Sequence, residues 1–161
     1  MGQNSRIFQW FIRFRVKRQL MTMNRSGIID ALNGALAWEL RAIAMYAHYS
    51  AYVSGIHRLQ LSAHFSEEVT ESTTHAAAVR AAIVKLDGIA TTDRADTEII
   101  HTMDYTEMLK EAYKTEMKAS ETYGQILPMI ETLGDKELYD SLETIYFDEM
   151  RSVEELRMML K

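Results

Sequence analysis

The sequence contains no cysteine, and this absence excludes several kinds of site. Without cysteine the chain cannot form a disulfide, a thiolate metal site, an iron–sulfur cluster or a cysteine nucleophile. The composition is compatible with a reducing cytoplasm, which we predict as the location of the protein. Proline and glycine are also scarce, with one proline and seven glycines in 161 residues. So few helix breakers favour long helices over strands and tight turns.

The sequence also lacks an apolar run long enough to span a membrane, and its charges are unevenly placed. Residues 1–25 carry six basic and no acidic side chains, which leaves 12 of the 18 basic residues against all 23 acidic ones. We interpret residues 1–25 as a basic, poorly ordered extension and residues 26–161 as one domain. The extension has two alternative interpretations, a membrane-surface segment and a DNA-binding arm. The acidic domain is better suited to attracting cations than to binding nucleic acid.

Apolar residues recur at helical spacing in four segments, which predicts an all-α, antiparallel four-helix bundle. A long link over residues 89–102 would let the second and third helices run parallel, as a crossover. We expect Pro128 to kink the third helix or to end it early. The predicted helices run from an N-cap at Ser26 to Gly55, over residues 56–86, over residues 105–133, and onward from an N-cap at Asp135.

Charged side chains interrupt the apolar row of each predicted helix. Residues three and four apart share a helix face, so a stripe of carboxylates and one imidazole lies beside apolar residues on the second helix. Such a row is costly to bury unless it is paired or bound to a metal. We therefore predict that the four helices close around a di-metal centre. The candidate metal ligands and catalytic residues are Glu39, Glu71, His75, Glu116 and Glu149, with Glu68 as an extra ligand.

The candidate ligands follow a weak internal repeat. Glu39 and Glu116 are 77 residues apart, and Glu71 and Glu149 are 78 apart. A di-iron site in a helical bundle takes a glutamate from each of two helices, and a glutamate with a histidine three residues later from each of the other two. Here His75 supplies the nitrogen ligand.

The chain resembles a bacterioferritin over about residues 26–160. The residues that carry the resemblance are Ala35–Ile43 with Tyr46, His75–Gly88, and then Glu116, Tyr123 and Asp148-Glu149. The resemblance implies a ferritin-like fold and oxidation of Fe(II) by O₂ or peroxide at an intrachain di-iron centre. It also implies iron storage or detoxification in a homo-oligomeric shell. The Dps-type ferritins are more distant relatives.

The resemblance assigns a role to each candidate ligand. Glu39 and Glu116 would be terminal ligands, Glu71 and Glu149 would bridge the metals, and His75 would be the nitrogen ligand. The methionine that family members use to hold haem is not found near Glu71, so we predict no haem.

The sequence departs from the family pattern in both halves. His75 follows Glu71 by four residues instead of three. If His75 keeps the family register, Ser72 occupies the position of the bridging glutamate. If Glu71 keeps it, Thr74 occupies the position of the histidine. In the second half, Ser152 replaces the histidine.

Two other functions remain open. The first is another di-metal enzyme on the same bundle, such as a rubrerythrin-like peroxidase or a small-molecule oxidase, which an apolar pocket beside the metals would favour. The second is a structural or DNA-protecting assembly with a degraded metal site. Other side chains are interpreted structurally: Tyr46 and Tyr123 as core aromatics, His48, His57, His64 and His101 as surface or interface groups, and Tyr49, Tyr52 and Ile56 as exposed groups at subunit contacts.

Overall fold

A computed structural model describes the backbone of residues 3–161 and the side chains of residues 24–161. Its elements are all helices over this range, which confirms the all-α prediction. Over the same residues, none of the helices has the length and hydropathy needed to cross a membrane. The four helices are α1 (Gln3–Tyr52), α2 (Arg58–Lys85), α3 (Tyr105–Glu131) and α4 (Lys136–Met159).

The helix boundaries agree with the predictions at some ends and differ at others. Asp135 caps α4, since its side chain accepts a hydrogen bond from the Leu138 backbone N–H at 3.1 Å. The N-cap expected at Ser26 is wrong, because α1 continues through this residue toward its N-terminal side. Pro128 lies inside α3, which ends three residues later at Glu131. The prediction that residues 1–25 are poorly ordered falls almost wholly outside the described side chains and stays a prediction.

Contacts between α1 and α3 set the direction of the bundle. Tyr46 on α1 bonds to Glu116 on α3, whereas Glu39, two turns earlier on α1, bonds to Tyr123, two turns later on α3. Residue numbers on the two helices therefore run in opposite directions. The antiparallel arrangement of these two helices is confirmed.

The segment between α2 and α3 crosses the length of the bundle along α1. The Asn33 side chain donates to the Ile89 carbonyl at 3.0 Å, and the Ala95 backbone N–H donates to the Ala37 carbonyl at 2.8 Å. Farther along, the Tyr49 hydroxyl donates to the Ile100 carbonyl at 3.0 Å. The segment therefore advances in the same direction as α1 and carries the chain back to the end where α2 began. This confirms the predicted long crossover.

A buried arginine, which the sequence did not single out, anchors this crossover. Arg41 is 2% exposed, and its guanidinium donates to the Thr97 carbonyl at 3.1 Å and to the Glu98 carbonyl at 2.9 Å. Its nearest acid is Glu111 at 3.9 Å. The crossover explains one wrong expectation as well. It covers Tyr49, which was predicted to be exposed and is fully buried.

The core consists of two apolar clusters with a polar layer between them. One cluster includes Leu36, Ala76, Tyr123 and Ile145, and the other includes Ala42, Phe65, Ala112 and Leu156. On every helix the candidate ligands lie between these two clusters. Apolar packing on both sides therefore keeps this polar layer near the middle of the bundle, away from bulk water.

Candidate metal centre

The polar layer brings together one or more acidic or imidazole side chains from each helix. The predicted residues Glu39, His75, Glu116 and Glu149 are each at most 5% exposed. Because isolated buried charges are strongly unfavourable, a group of this kind requires protons, mutual hydrogen bonds or a bound cation. The remaining members of the layer are Glu68, Ser72, Ser120 and Ser152.

Three of these side chains converge on one point. His75 Nδ1 lies 2.8 Å from Glu149 Oε1 and 3.6 Å from Glu39 Oε1. One ligand atom from each of the three residues lies within 4.8 Å of the others. The second oxygen of Glu149, Oε2, is buried and has no hydrogen-bond partner among the described residues. An imidazole, two carboxylates and a free buried oxygen fit a divalent cation such as Fe(II). We call these three residues the inner group.

Two tyrosines hold the carboxylates that lie on α1 and α3. The Tyr123 hydroxyl donates to Glu39 Oε1 at 2.6 Å, and the Tyr46 hydroxyl donates to Glu116 Oε1 at 2.5 Å. Both tyrosines are buried, as expected of core aromatics, but they also orient candidate ligands. The spacing of the tyrosines in the sequence is a signal for this role. Each tyrosine follows a glutamate by seven residues and bonds to the corresponding glutamate of the other half.

The buried carboxyls hold protons more tightly than exposed ones. Burial raises the pKa of Glu39 to about 8, with the charge of Glu116 adding to the effect and the Tyr123 hydrogen bond opposing it. Burial also raises the pKa of Glu116 well above its usual range, and the neighbouring charge of Glu149 adds to this. The pKa of Glu149 is raised for the same reason, with the charge of Glu39 as the next cause. A cation at this site would replace these protons.

Glu68 belongs to the same layer and precedes His75 by seven residues, about two turns of α2. Burial raises the pKa of Glu68 to about 8, and the charge of Glu116 is the next cause. His64 Nδ1 lies 3.7 Å from Glu68 Oε1. The His64 side chain is 17% exposed and so partly buried, and its assignment as a surface or interface group stays a prediction. The site therefore extends from the inner group through Glu116 to Glu68.

Glu71 lies on the opposite edge of the His75 ring. Its side chain is 38% exposed, and Glu71 Oε1 is 4.0 Å from His75 Nε2, while Nδ1 faces the inner group. Ser72, in contrast, is 5% exposed within the polar layer. The geometry favours the register in which His75 keeps the family position and Ser72 occupies that of the glutamate. The bridging role of Glu71 remains a prediction, and the side chain stands apart from the inner group.

A cavity of about 660 Å³ lies between α2 and α4 and reaches His75 from the solvent side. Seven of its eleven lining residues are acidic or carry a hydroxyl, and Ala78 and Ile145 are apolar, but apolar atoms provide most of the exposed wall area. Asp148 Oδ2, in this wall, is 3.5 Å from His75 Nε2. The remaining lining residues are Glu67, Thr70, Glu71, Thr74, Ser141, Thr144 and Arg151.

The sequence matches the ferritin-like domain family over residues 29–161. A solved structure described as one of the ferritin-like, diiron-carboxylate proteins from Bacillus anthracis str. Ames is 33% identical, with a TM-score of 0.81. The match covers 86% of this chain and 98% of that one. No curated protein matches this chain in sequence.

Two more distant structures share the fold. A dodecameric thioferritin, the bacterioferritin-related protein from Bacteroides fragilis, is 24% identical with a TM-score of 0.77, and the match covers 84% of this chain and 85% of that one. The DPS protein from Vibrio cholerae O1, a ferritin-like diiron-carboxylate protein, is 17% identical with a TM-score of 0.81, covering 87% and 92%. At these identities the likeness is one of fold.

Proposed function

This chain belongs to the ferritin-like domain family, and on that premise we propose that it binds Fe(II) in the polar layer and oxidises it for iron storage or detoxification. The observation that carries the proposal is the inner group, in which one histidine and two carboxylates from three helices meet in the core. Iron is the substrate of this reaction.

The proposal gives each buried side chain a separate task. His75 Nδ1, Glu39 and Glu149 would hold one cation, because their ligand atoms already lie close together. Glu116 on α3 and Glu68 on α2 would hold a second cation. The carboxyls carry protons without a metal, so binding of a divalent cation would release them and affinity would rise with pH.

The redox step needs an oxidant that the protein does not supply. Two Fe(II) ions would each give one electron, and with two protons these electrons would reduce one O₂ to hydrogen peroxide, or one hydrogen peroxide to two water molecules. Tyr46 and Tyr123 would keep two carboxylates in place as the charge on iron changes, because hydrogen bonds from neighbouring groups fix the orientation of metal ligands. We predict no haem in this reaction.

The cavity beside His75 combines three carboxylates, of Glu67, Glu71 and Asp148, with a wall whose exposed area is mostly apolar. The carboxylates suit a hydrated cation and support iron as the substrate. An oxidase or rubrerythrin-like peroxidase acting on a small apolar molecule is the alternative that the apolar part of the wall supports. The structural or DNA-protecting alternative depends on the basic extension, residues 1–25. The side chains of residues 1–23 lie outside the described part of the chain.

A homo-oligomeric shell is the second part of the proposal. The Bacteroides fragilis relative is described as dodecameric. Ile56 is 92% exposed and Leu59 87% exposed near the start of α2, with Tyr52 close by at 44%. Contact with a second copy would remove this apolar surface from water. A chain that stays monomeric at high concentration would contradict storage in a shell. A cytoplasmic location remains a prediction.

The decisive experiment is an anaerobic Fe(II) titration by calorimetry, followed by exposure to O₂ and absorbance detection of Fe(III). The test variants are Glu39→Gln and Glu149→Gln, in which the amide has the shape of the protonated carboxyl and so preserves the metal-free fold. Glu154→Gln is the matched control, because Glu154 is exposed on α4 and pairs with Arg157. Circular dichroism checks the fold of every variant.

We expect specific Fe(II) binding in the parent and in the Glu154→Gln control, and loss of the tight equivalent at the inner group in both test variants. Two equivalents per chain would indicate a dinuclear centre, and one equivalent would indicate a single site at the inner group. Absence of specific binding in the parent would overturn the proposal and favour the structural alternative.

A further inference from the structure

We propose that Glu71, Asp148 and the Nε2 edge of His75 form an outer cation site, which receives a divalent cation before it moves to the inner group. This inference rests on the proposed function, because the outer site delivers its ion to the buried centre. It assigns Glu71 a role distinct from bridging two buried metals, and it gives Asp148 a role that the sequence did not suggest.

The first support is the geometry of the three side chains. His75 Nε2 is 3.5 Å from Asp148 Oδ2 and 4.0 Å from Glu71 Oε1, and one ligand atom from each residue lies within 4.8 Å of the others. Arg151 bonds to Oδ1 of Asp148, which leaves Oδ2 as the atom nearest the imidazole. Two carboxylates and an imidazole nitrogen suit Fe(II), Co(II) or Zn(II).

The second support is the state of His75 itself. The residue is 5% exposed, yet among the described residues its Nε2 forms no hydrogen bond, whereas Nδ1 lies 2.8 Å from Glu149. The ring is buried, but Nε2 itself is accessible from the cavity and is free to take a ligand. Here it meets two carboxylates at distances longer than a hydrogen bond and at the end of a solvent-connected cavity. A cation between these atoms would satisfy all three groups.

The shared ring makes the two sites sequential. A neutral imidazole has one nitrogen that carries a proton and one that can donate its lone pair. His75 can therefore bind a cation through Nε2 at the outer site or through Nδ1 at the inner group, so one ion occupies one of the two sites at a time.

The position of the cavity fits this order of events. The inner carboxylates, Glu39 on α1 and Glu149 on α4, are buried, so a hydrated cation must lose water before it reaches them. The cavity between α2 and α4 leads from solvent to the Nε2 edge of His75. Glu71 and Asp148 are partly exposed, at 38% and 27%, and can exchange water ligands for carboxylate oxygens in contact with solvent.

The test measures Co(II) binding to the full chain under anaerobic conditions, with stopped-flow detection of the Co(II) absorbance. The test variant is the pair Glu71→Gln and Asp148→Asn. The matched control is the pair Glu154→Gln and Asp140→Asn, which removes the same charge from exposed positions on α4. A third variant, Glu39→Gln with Glu149→Gln, removes the inner carboxylates and leaves the outer site.

We expect the test variant to bind Co(II) at least roughly tenfold more slowly than the parent, because carboxylates that attract and hold an incoming ion raise its association rate. Its final stoichiometry should match the parent. The control should bind within about twofold of the parent rate, since its charges lie at exposed positions. The inner-group variant should retain one weaker equivalent, and this equivalent should disappear when Glu71→Gln and Asp148→Asn are added.

Two results would overturn the inference in distinguishable ways. If the parent binds Co(II) and Fe(II) but the test variant binds at the parent rate, the outer site is not on the path and the proposed function stands. The same conclusion follows if the inner-group variant binds no Co(II). If the parent binds neither ion, both the outer site and the proposed function fail.

Discussion

The two helix pairs, α1–α2 and α3–α4, carry the same glutamate and tyrosine but different second ligands. Glu39 and Tyr46 on α1 correspond to Glu116 and Tyr123 on α3, and each tyrosine bonds to the glutamate of the other pair. The reciprocal hydrogen bonds join the two pairs across the bundle. This part of the site is symmetric in sequence and in structure.

The pairs differ on the other two helices. On α2, His75 is present and Ser72 stands three residues before it, whereas on α4 Glu149 is present and Ser152 stands three residues after it. Each pair therefore keeps one of the two side chains of a glutamate–histidine motif. The two that remain meet, with His75 Nδ1 2.8 Å from Glu149 Oε1.

The two pairs therefore supply complementary parts of the inner group. In each pair a serine stands where the other member of the motif would be, and both serines are buried in the polar layer. The inner group combines Glu39 and His75 from one pair with Glu149 from the other.

The largest difference between the pairs lies outside the polar layer. Arg41 is buried against the crossover, while Lys118, 77 residues later, is 57% exposed and pairs with Glu121. We expect Arg41→Ala to lower the free energy of unfolding by about 2–3 kcal/mol, because it removes a buried side chain whose guanidinium donates to two crossover carbonyls, while Glu111 keeps its pair with Lys114 at 2.6 Å. Lys118→Ala should change it by less than about 0.5 kcal/mol. Urea denaturation of both variants measures the contrast.

Similar losses for Arg41→Ala and Lys118→Ala would contradict this assignment. They would mean that the crossover is held by its other bonds to α1, such as those of Asn33 and Tyr49. Such a result would make the two pairs equivalent here too.

The sequence predicted the bundle, because the bundle depends on periodicity. Apolar residues at helical spacing place the four helices, and a glutamate inside an apolar row lies on the side of the helix that faces the core. Glu39, Glu116 and Glu149 were predicted in this way and are buried. Periodicity does not determine what lies beside a helix. The burial of Arg41 and of Tyr49 depends on the path of the crossover, which has no repeating pattern.

The neighbours that each side chain on α2 contacts also could not be predicted from the sequence. Glu71 and His75 are four residues apart and share a face, which made both candidates for one site. In the structure, the His75 ring takes part in two sets of side chains. Its Nδ1 edge faces Glu39 and Glu149, and its Nε2 edge faces Glu71 and Asp148. Which nitrogen faces which carboxylate depends on the packing of α2 against α4, and spacing alone cannot give it.

The second prediction concerns pH and the metal-free protein. Folding raises the pKa of Glu39 from 4.5 to about 8, so between these values the folded state holds a proton that the unfolded state has lost. The stability contributed by this proton is complete at low pH and is lost as pH rises toward 8. The free energy of unfolding should fall by up to about 1.4 kcal/mol per pH unit for each such carboxyl. Urea denaturation in the presence of a chelator, between about pH 5 and pH 8, measures this slope.

The same slope compares the two pairs. Glu39→Gln removes one titrating carboxyl from α1, and Glu116→Gln removes one from α3. If the pairs are electrostatically equivalent, both variants should flatten the slope equally. An unchanged slope in both would show that neither carboxyl carries its proton in the folded state. A slope that rises with pH in the parent would contradict the raised pKa values of the whole layer.

The smallest expected effect separates the two tyrosines. Tyr46→Phe and Tyr123→Phe each remove one hydroxyl from a buried carboxyl, so each should lower the free energy of unfolding of the metal-free protein by about 1 kcal/mol. Their effects on metal binding should differ. Tyr123 orients Glu39, which belongs to the inner group, whereas Tyr46 orients Glu116, which does not. Tyr123→Phe should therefore weaken Co(II) binding roughly tenfold, and Tyr46→Phe should weaken it less.

Equal losses of stability with unequal losses of Co(II) affinity would mean that the two tyrosines contribute equally to folding but unequally to cation binding. That outcome would locate the first cation at Glu39, His75 and Glu149. Equal affinity losses would instead indicate that Glu116 contributes as much as Glu39 to the first cation, and the complementary arrangement of the two halves would then extend to all four helices. Calorimetric titration of the two variants beside the parent distinguishes these cases, because the matched loss of one hydroxyl leaves the position of the glutamate as the variable.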